Sequence, residues 1–426
     1  MQIFKFGGAS IQNAAAFQQL GKIIQAAQPS PLVIVISAIG TTTKRLEAML
    51  QQKASGTAHA TALQTLGQFH QNIIEQLLVT RRHEALRTLA AWQGQLAATL
   101  ALPVADGGQS LLYSKVVAMG ELLASRLVHY YLQEQGEACV WLDARTCIKT
   151  HHGCCNAQVD WGATQRLVKK EIQPRLKKGQ VVLTQGFIGS NEANETTTLG
   201  KEGSDFSGAI LAAALGAQSL TVWKDVPGVM SADPKVLQGA TKFTALSYTA
   251  MAAMAHYGAR VMHPRTLQPL AEHNIPLYVK PFHHPQEAGT RISHGPAQPA
   301  QPVYILQKDQ GLLELRLLGG AFFDEEQCKK ALRQFSQQQG QINLLAKSAC
   351  TMSLCLSATP CQEKTWLEAF SPHFQVNYHT PVSLLTVLRQ AGTLPPELLA
   401  GQTVLLAQQR PGLYQAVLQQ ASKKGK

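Results

Sequence analysis

Along roughly the first 290 residues, short runs rich in β-branched and aliphatic residues alternate with longer stretches of helical spacing. The runs "QIFKFGG", "PLVIVISAI", "ACVWLDA", "QVVLTQGFIG", "SLTVWKDV" and "PLYVKPF" predict strands. Between them the spacing predicts a helix from Ala14 to Ala27, a long helical region from Thr61 to Ala101, and helices over Leu111 to Gln135, Trp161 to Leu176, Phe206 to Leu215 and Thr249 to Gly258. An order of this kind, βαβα, predicts an α/β fold with a mainly parallel sheet sandwiched by helices. The pattern changes in "KPFHHPQEAGTRISHGPAQPAQP", whose prolines and glycines suit a linker better than a packed element. Beyond it the segments are smaller, "VYILQ", "LLELRLL", "INLLAKSA", "TMSLCLS", "FQVNYHT", "VSLLTVLR", "TVLLAQQ" and "LYQAVLQ", with helices near Glu325 to Gln338 and Lys364 to Phe370. These predict a C-terminal α+β region of one or two small βαβ modules. The expected organisation is a domain over 1–292, a linker over 293–302 and a smaller domain over 303–426.

A chain of 426 residues, 45% apolar and only 15% charged, has enough apolar surface for such cores and is not a disordered protein. Its apolar runs fall well short of the ~20 residues of a membrane span. The start "MQIFKFGG" leads directly into strand-like sequence rather than a signal peptide, so a cytoplasmic protein with no membrane partner is expected. The eight cysteines fit no zinc spacing: Cys154 and Cys155 are adjacent, and Cys139, Cys147, Cys328, Cys350, Cys355 and Cys361 lack paired histidines. Reduced thiols and no protein-bound metal are expected. A formal charge of +12 suits anionic partners, but Lys and Arg are scattered apart from short pairs and the tail "SKKGK". Anionic small molecules, rather than a nucleic acid, are the expected partners.

Four stretches carry candidate chemistry. In "KFGGAS", Lys5 and the pair Gly7 and Gly8 follow the first strand, where glycines let backbone N–H groups approach a phosphate; a plain tight turn would use the same residues. The loop is neither G-x-x-x-x-G-K-[ST] nor G-x-G-x-x-G. In "LLYSKVVAMGELLASRLVHYY", Glu121 falls on a mostly apolar helical stripe with Val117, Ala124 and Val128. A carboxylate there needs a partner, either an internal Lys or Arg or the ammonium group of a ligand. The polar elbow "TTTLGKEGSDFSG" precedes an apolar helix and suits anion capture or ordinary capping by Ser204 or Asp205. In "VWKDVPGVMSADPK" a strand ends in a turn carrying Lys224, Asp225, Asp233 and Lys235. Lys5–Gly8, Ser37–Thr43, Phe187–Gly189 and Lys224–Gly228 all begin at strand ends, and open α/β sheets bind ligands beyond those ends, so one shared crevice accounts for all four.

Together with "VISAIGTTTKRL", "GELLASRLV", "WLDARTCIKT", "TQGFIGS" and "YGARVMHPRTLQPLAEHNIPLYVK", these stretches resemble the aspartate kinases, a branch of the amino acid kinase family, in family order over most of Met1 to Ile292. The resemblance implies transfer of the γ-phosphoryl group of Mg2+-ATP to the β-carboxylate of L-aspartate, the step that opens lysine, threonine and methionine synthesis. It implies that Lys5 bridges the transferred phosphate, that Gly7 and Gly8 supply N–H groups, and that Asp205 orients Lys5. By the same resemblance Ser37, Thr43, Glu121, Phe187, Lys201 and Ser204 line the aspartate pocket. Trp223, Lys224, Asp225, Met230 and Lys235 match its nucleotide-binding segment, and Arg260 stands where the family usually has a Lys near the phosphates.

Three departures stand out. The family's usual Arg in "GREGSD" is Lys201, which cannot make a planar two-pronged bond to a carboxylate. Ala9 replaces the Thr of "KFGGTS". The C-terminal region resembles the family's paired ACT domains only in outline, reading "LLGGAFFDEEQ" and "INLLAKSACTMSL" where effector-binding residues are usual. A homodimer through this region, with no response to lysine or threonine, is expected. The competing readings are another amino acid kinase, acting on glutamate, acetylglutamate, carbamate or a nucleotide monophosphate, and a non-catalytic amino-acid sensor, for which Lys201 is the strongest argument.

Overall fold

The computed structural model describes residues 1–56, 59–103, 107–151, 153–295, 299, 301–320, 322–337, 341–357, 360–389 and 394–421. The expected linker lies partly, and the tail "SKKGK" wholly, outside these residues. The chain divides into two compact units. The first comprises Met1–Val229, Lys242–Ala252 and Val261–Ala297, and the second Met230–Thr241, Ala253–Arg260 and Gln298–Lys426. The boundary is therefore not a single point in sequence.

In the first unit the described strands are β1 (Gln2–Phe6), β2 (Leu32–Ile36), β3 (Cys139–Trp141), β4 (Val181–Gln185), β5 (Ile188–Ser190), β6 (Thr196–Thr198), β7 (Ser219–Lys224), β8 (Ala245–Ser247), β9 (Leu277–Pro281) and β10 (Thr290–Ser293). Eight of them form one sheet in the order β3-β4-β2-β1-β7-β9-β10-β8, and β5 and β6 pair as a separate antiparallel hairpin. Every neighbouring pair in the large sheet is parallel except β9 with β10. Strand β2, "LVIVI", is buried throughout, as a central parallel strand covered on both faces must be. The helices are α1 (Ala14–Ala27), α2 (Thr42–Ala54), α3 (Ala60–Leu77), α4 (Arg82–Ala101), α5 (Gln109–Glu134), α6 (Trp161–Lys177), α7 (Gly203–Leu215), α8 (Tyr248–His256), whose residues from Ala253 onward group with the second unit, and α9 (Pro264–Glu272). The long helical region expected over 61–101 is two helices, broken at Leu78–Arg81. There Glu134 accepts the N–H groups of Val79 and Arg81, which a continuous helix would have used internally. Helix α7, "GSDFSGAILAAAL", is apolar nearly all round and buried, as expected of a helix enclosed within the core.

The register places the carboxyl ends of four strands side by side: Phe6 is level with Ile36 and with Trp223, and Ile36 with Gln185. The loops leaving β1, β2, β4 and β7 therefore start at one edge of the sheet. Beneath that edge the Phe6 ring stacks on Trp223, with centroids 6.1 Å apart, and Phe282 meets Phe6 edge-on at 6.0 Å.

The second unit contains β11 (Val303–Leu317), α10 (Glu325–Gln337), β12 (Gln341–Lys347), β13 (Thr351–Ser357), α11 (Pro360–Phe370), β14 (Phe374–Leu388), β15 (Gln402–Arg410) and β16 (Leu413–Gln420). Its strands form one six-stranded sheet, β12-β13-β11-β14-β16-β15, in which every neighbouring pair is antiparallel. The region is the α+β, ACT-like unit that was expected, with the strands of its small modules joined into one sheet. The pairs "VYILQ"/"LLELRLL" and "FQVNYHT"/"VSLLTVLR" merge into two 15-residue strands that pair along most of their lengths. Trp366, Phe335, Phe370 and Leu354 form one core of this unit, while Ala232 and Leu237 pack with Leu385 and Val387 in another.

Candidate active site

At the carboxyl edge of the large sheet a cavity of about 920 Å³ opens within the first unit. Its floor is the end of β1 and the loop that follows. Gly8 is required by close approach: a Cβ there would stand 2.5 Å from the Ala38 carbonyl oxygen and 3.1 Å from that of Gly40, and the Gly40 N–H donates to the Gly8 carbonyl at 3.0 Å. Gly7, Gly8, Ser37 and Thr43 all face the cavity. Thr43 owes its position to the start of α2, where the buried Thr42 hydroxyl donates to the Ile39 carbonyl at 2.6 Å and lies 3.2 Å from His70 Nε2. Burial lowers His70 to about 4, so this internal anchor is neutral at physiological pH.

The polar elbow "TTTLGKEGSDFSG" forms a second wall. Phe187 and Glu202 both occupy the left-handed region, with φ of 72° and 55°, a strained backbone that persists where its surroundings hold it. The Phe187 N–H donates to Ser207 Oγ at 2.9 Å, and its carbonyl accepts from Leu199 N–H at 2.8 Å. Gly203 has no room for a Cβ, which would lie 2.8 Å from the Phe187 ring. Phe187, Lys201 and Ser204 line the cavity as expected. The capping expectation is corrected. Helix α7 starts at Gly203 with Glu202 as its N-cap and no side-chain cap bond, so Ser204 and Asp205 lie inside the first turn.

Asp205 is held differently. Its Oδ1 lies 2.5 Å from Lys5 Nζ and its Oδ2 3.2 Å from Lys224 Nζ, and the carboxylate is 3% exposed. Burial alone would raise this carboxyl, but Lys224 and Lys5 outweigh it and hold it down at about 2. Burial likewise works against the Lys224 ammonium, yet the Asp205 and Glu202 carboxylates raise its pKa. Lys224 also donates to the Val261 carbonyl. The triad carries one net positive charge, aimed at the cavity from the strand ends.

Glu121, from the middle of α5, lines the same cavity at 3% exposure. Its Oε1 accepts the Ala38 N–H at 3.4 Å, while Oε2 has no hydrogen-bond partner, and no Lys or Arg among the described residues is within ion-pair range. The internal ion pair considered from the sequence is therefore not formed. Burial raises this carboxyl to about 8. A buried carboxylate that is half unsatisfied and faces a cavity is configured for a cationic ligand group. The buried Ser37 Oγ also lacks a protein partner.

Trp223, Lys224 and Asp225 line the cavity as well. Met230, Lys235 and Arg260 group with the second unit. The sequence reading missed Glu47, Tyr113, Cys155 and Asn156 on the cavity wall. The signal for Glu47 was its spacing of four from Thr43, but α2 was not recognised as a helix; Tyr113 stands eight residues before Glu121 on α5.

The chain belongs to the amino acid kinase family, whose model matches residues 1–281, and the glycine-lined strand end and the lysines around Asp205 lie within the matched residues. Within that family its likeness is to the aspartokinases. It is 32% identical over 321 residues to lysine-sensitive aspartokinase 3 of Escherichia coli K12, covering 74% of this chain and 69% of that enzyme. It is 32% identical over 293 residues to the bifunctional aspartokinase/homoserine dehydrogenase 2 of the same organism, of which it spans 35%. The structure of E. coli aspartokinase III in complex with aspartate and ADP superposes with a TM-score of 0.80 at 26% identity, over 98% of this chain and 96% of that one.

Proposed function

We infer that this chain is an aspartate kinase, transferring the γ-phosphoryl group of ATP to the β-carboxylate of L-aspartate to give 4-phospho-L-aspartate and ADP. The observation that carries this reading is the placement of Glu121, buried and lacking a cationic partner, in the same cavity as the Lys5–Asp205–Lys224 triad. Glu121 receives the substrate ammonium, and Ser37 offers a further hydrogen bond. Lys201 neutralises the α-carboxylate as a point charge. Lys5, oriented by Asp205, brings the β-carboxylate and the γ-phosphate together and offsets the charge that develops between them, which is most of what phosphoryl transfer asks of a protein.

The Gly7–Gly8 loop, too tight for any side chain at Gly8, suits the phosphates of a nucleotide. Trp223 and Asp225, which line the same cavity, are proposed for the remainder of the nucleotide. Among the described residues no group of three His, Cys, Asp or Glu side chains could hold a metal by itself, so Mg2+ would be carried mainly by nucleotide phosphates and water. It would neutralise phosphate charge.

A non-catalytic sensor is the second reading, favoured by Lys201 alone. The buried Lys5–Asp205 pair speaks against it, because amino-acid sensing has no use for a phosphate-bridging lysine. Trapping with hydroxylamine in the presence of ATP, Mg2+ and a panel of amino acids tests both. Hydroxamate with L-aspartate only is expected; hydroxamate with glutamate instead, or with no amino acid at all, rejects the reading.

A further inference from the structure

The cavity contains a second acid that the reading above does not use. Glu47 lies one turn beyond Thr43 on α2, on the same helical face, and lines the cavity. Facing it from α5, the Tyr113 hydroxyl donates to Glu47 Oε1 at 2.8 Å. Tyr113 and Glu121 both rise from α5, about two turns apart, so this bond ties Glu47 to the α5 wall that also carries Glu121. Burial raises the Glu121 carboxyl; Lys5 works against this across the cavity and Glu47 adds to it, so the two acids act on each other.

The cavity's charges are therefore unevenly shared. Lys5 and Lys224 are both engaged by Asp205, whereas no Lys or Arg among the described residues is in ion-pair range of Glu47 or Glu121. Two acids without an ion-pair partner, one of them buried with an unpartnered oxygen, favour a ligand that brings a positive group and are left unpaired by one that brings only negative groups.

We propose that Glu47 is a specificity-determining residue: with Glu121 it receives the substrate ammonium, and it turns the site against dicarboxylates that lack an amine. Tyr113 is its positioning residue. The inference rests on the aspartate kinase reading and identifies which feature of the acceptor the site selects.

Glu47→Gln tests it, because the amide oxygen still accepts the Tyr113 hydroxyl while the charge is lost. Affinities of the full chain for L-aspartate and for succinate, its amine-free counterpart, are measured by calorimetry together with KM for ATP. L-aspartate should bind about tenfold more weakly, the scale of one charge-assisted hydrogen bond. Succinate should bind as well or better, and KM for ATP should stay within twofold. Tyr113→Phe should move the aspartate affinity in the same direction by less. Equal weakening of both ligands would show a merely structural role and overturn the proposal, as would an unchanged aspartate affinity. A wild type that binds L-aspartate but forms no acyl phosphate rejects the kinase reading while the two affinities still judge Glu47; a wild type that binds no L-aspartate overturns both.

Discussion

Lys5 Nζ stands 2.5 Å from Asp205 Oδ1, joining the end of the first strand to the first turn of a helix that begins beyond the polar elbow. The carboxylate shares its other oxygen with Lys224 at 3.2 Å, so Lys5 is clamped without being fully neutralised.

Lys5→Ala is expected to lower kcat by roughly 10²-fold or more, with a smaller change in KM, because the group that offsets transition-state charge is gone. Steady-state kinetics with ATP and L-aspartate read both parameters. An unchanged kcat would show that Lys5 only shapes the turn.

Glu121→Gln should raise KM for L-aspartate with little effect on KM for ATP, since a neutral amide loses the attraction to the ammonium. The same variant has a consequence for stability. The folded pKa of Glu121 is raised from 4.5 to about 8, so the folded state holds a proton that the unfolded state releases. Burial of this group therefore costs nothing extra below about pH 4.5 and increasingly destabilises the fold as pH rises to about 8, by about 1.4 kcal/mol per unit at most. The melting temperature of Glu121→Gln should accordingly exceed that of the wild type by a margin that widens from pH 5 to 8. A margin constant with pH would mean that Glu121 is paired in solution.

Lys201→Arg is expected to tighten L-aspartate binding, because a planar guanidinium can bond a carboxylate through two N–H groups. Calorimetric titration decides it; weaker binding would mean that the elbow is fitted to the single-point contact.

The C-terminal unit keeps a packed six-stranded sheet with Leu345 and Val404 exposed on its strands and Leu318 and Phe322 exposed beyond the end of β11, and it reads "LLGGAFFDEEQ" and "INLLAKSACTMSL" where the resemblance implies effector-binding residues. A homodimer whose activity is insensitive to millimolar lysine or threonine is expected. Light scattering gives the mass, and titration of each amino acid at sub-saturating L-aspartate gives the response. Half-maximal inhibition below about 1 mM, an affinity worth roughly 4 kcal/mol, would contradict the second expectation.

Local sequence was sufficient for much of the first unit. The apolar runs of β1, β2, β4 and β7 and the helical stripes of α1, α5 and α6 are signals that neighbours in the chain create by themselves, and the motif stretches carried Lys5, Glu121 and Asp205 to the site. Elements whose residues acquire meaning only through distant partners were not legible. The short strand β10 pairs with β9 on one side and with β8 on the other, and α2 has a polar sequence that hid Glu47. The antiparallel order of the second sheet depends on which strands meet across long separations, and hydrophobic pattern is the same for either direction. The resemblance already implied that Asp205 meets Lys5; tertiary structure alone decided that Lys224 joins them, that Asp205 does not cap its helix, and that Glu121 has no lysine or arginine in ion-pair range among the described residues. A carboxylate's partner is set by what folding brings within a few ångströms, and charge interactions in a buried site depend on that distance and on exclusion of water, neither of which is written in the spacing of residues along the chain.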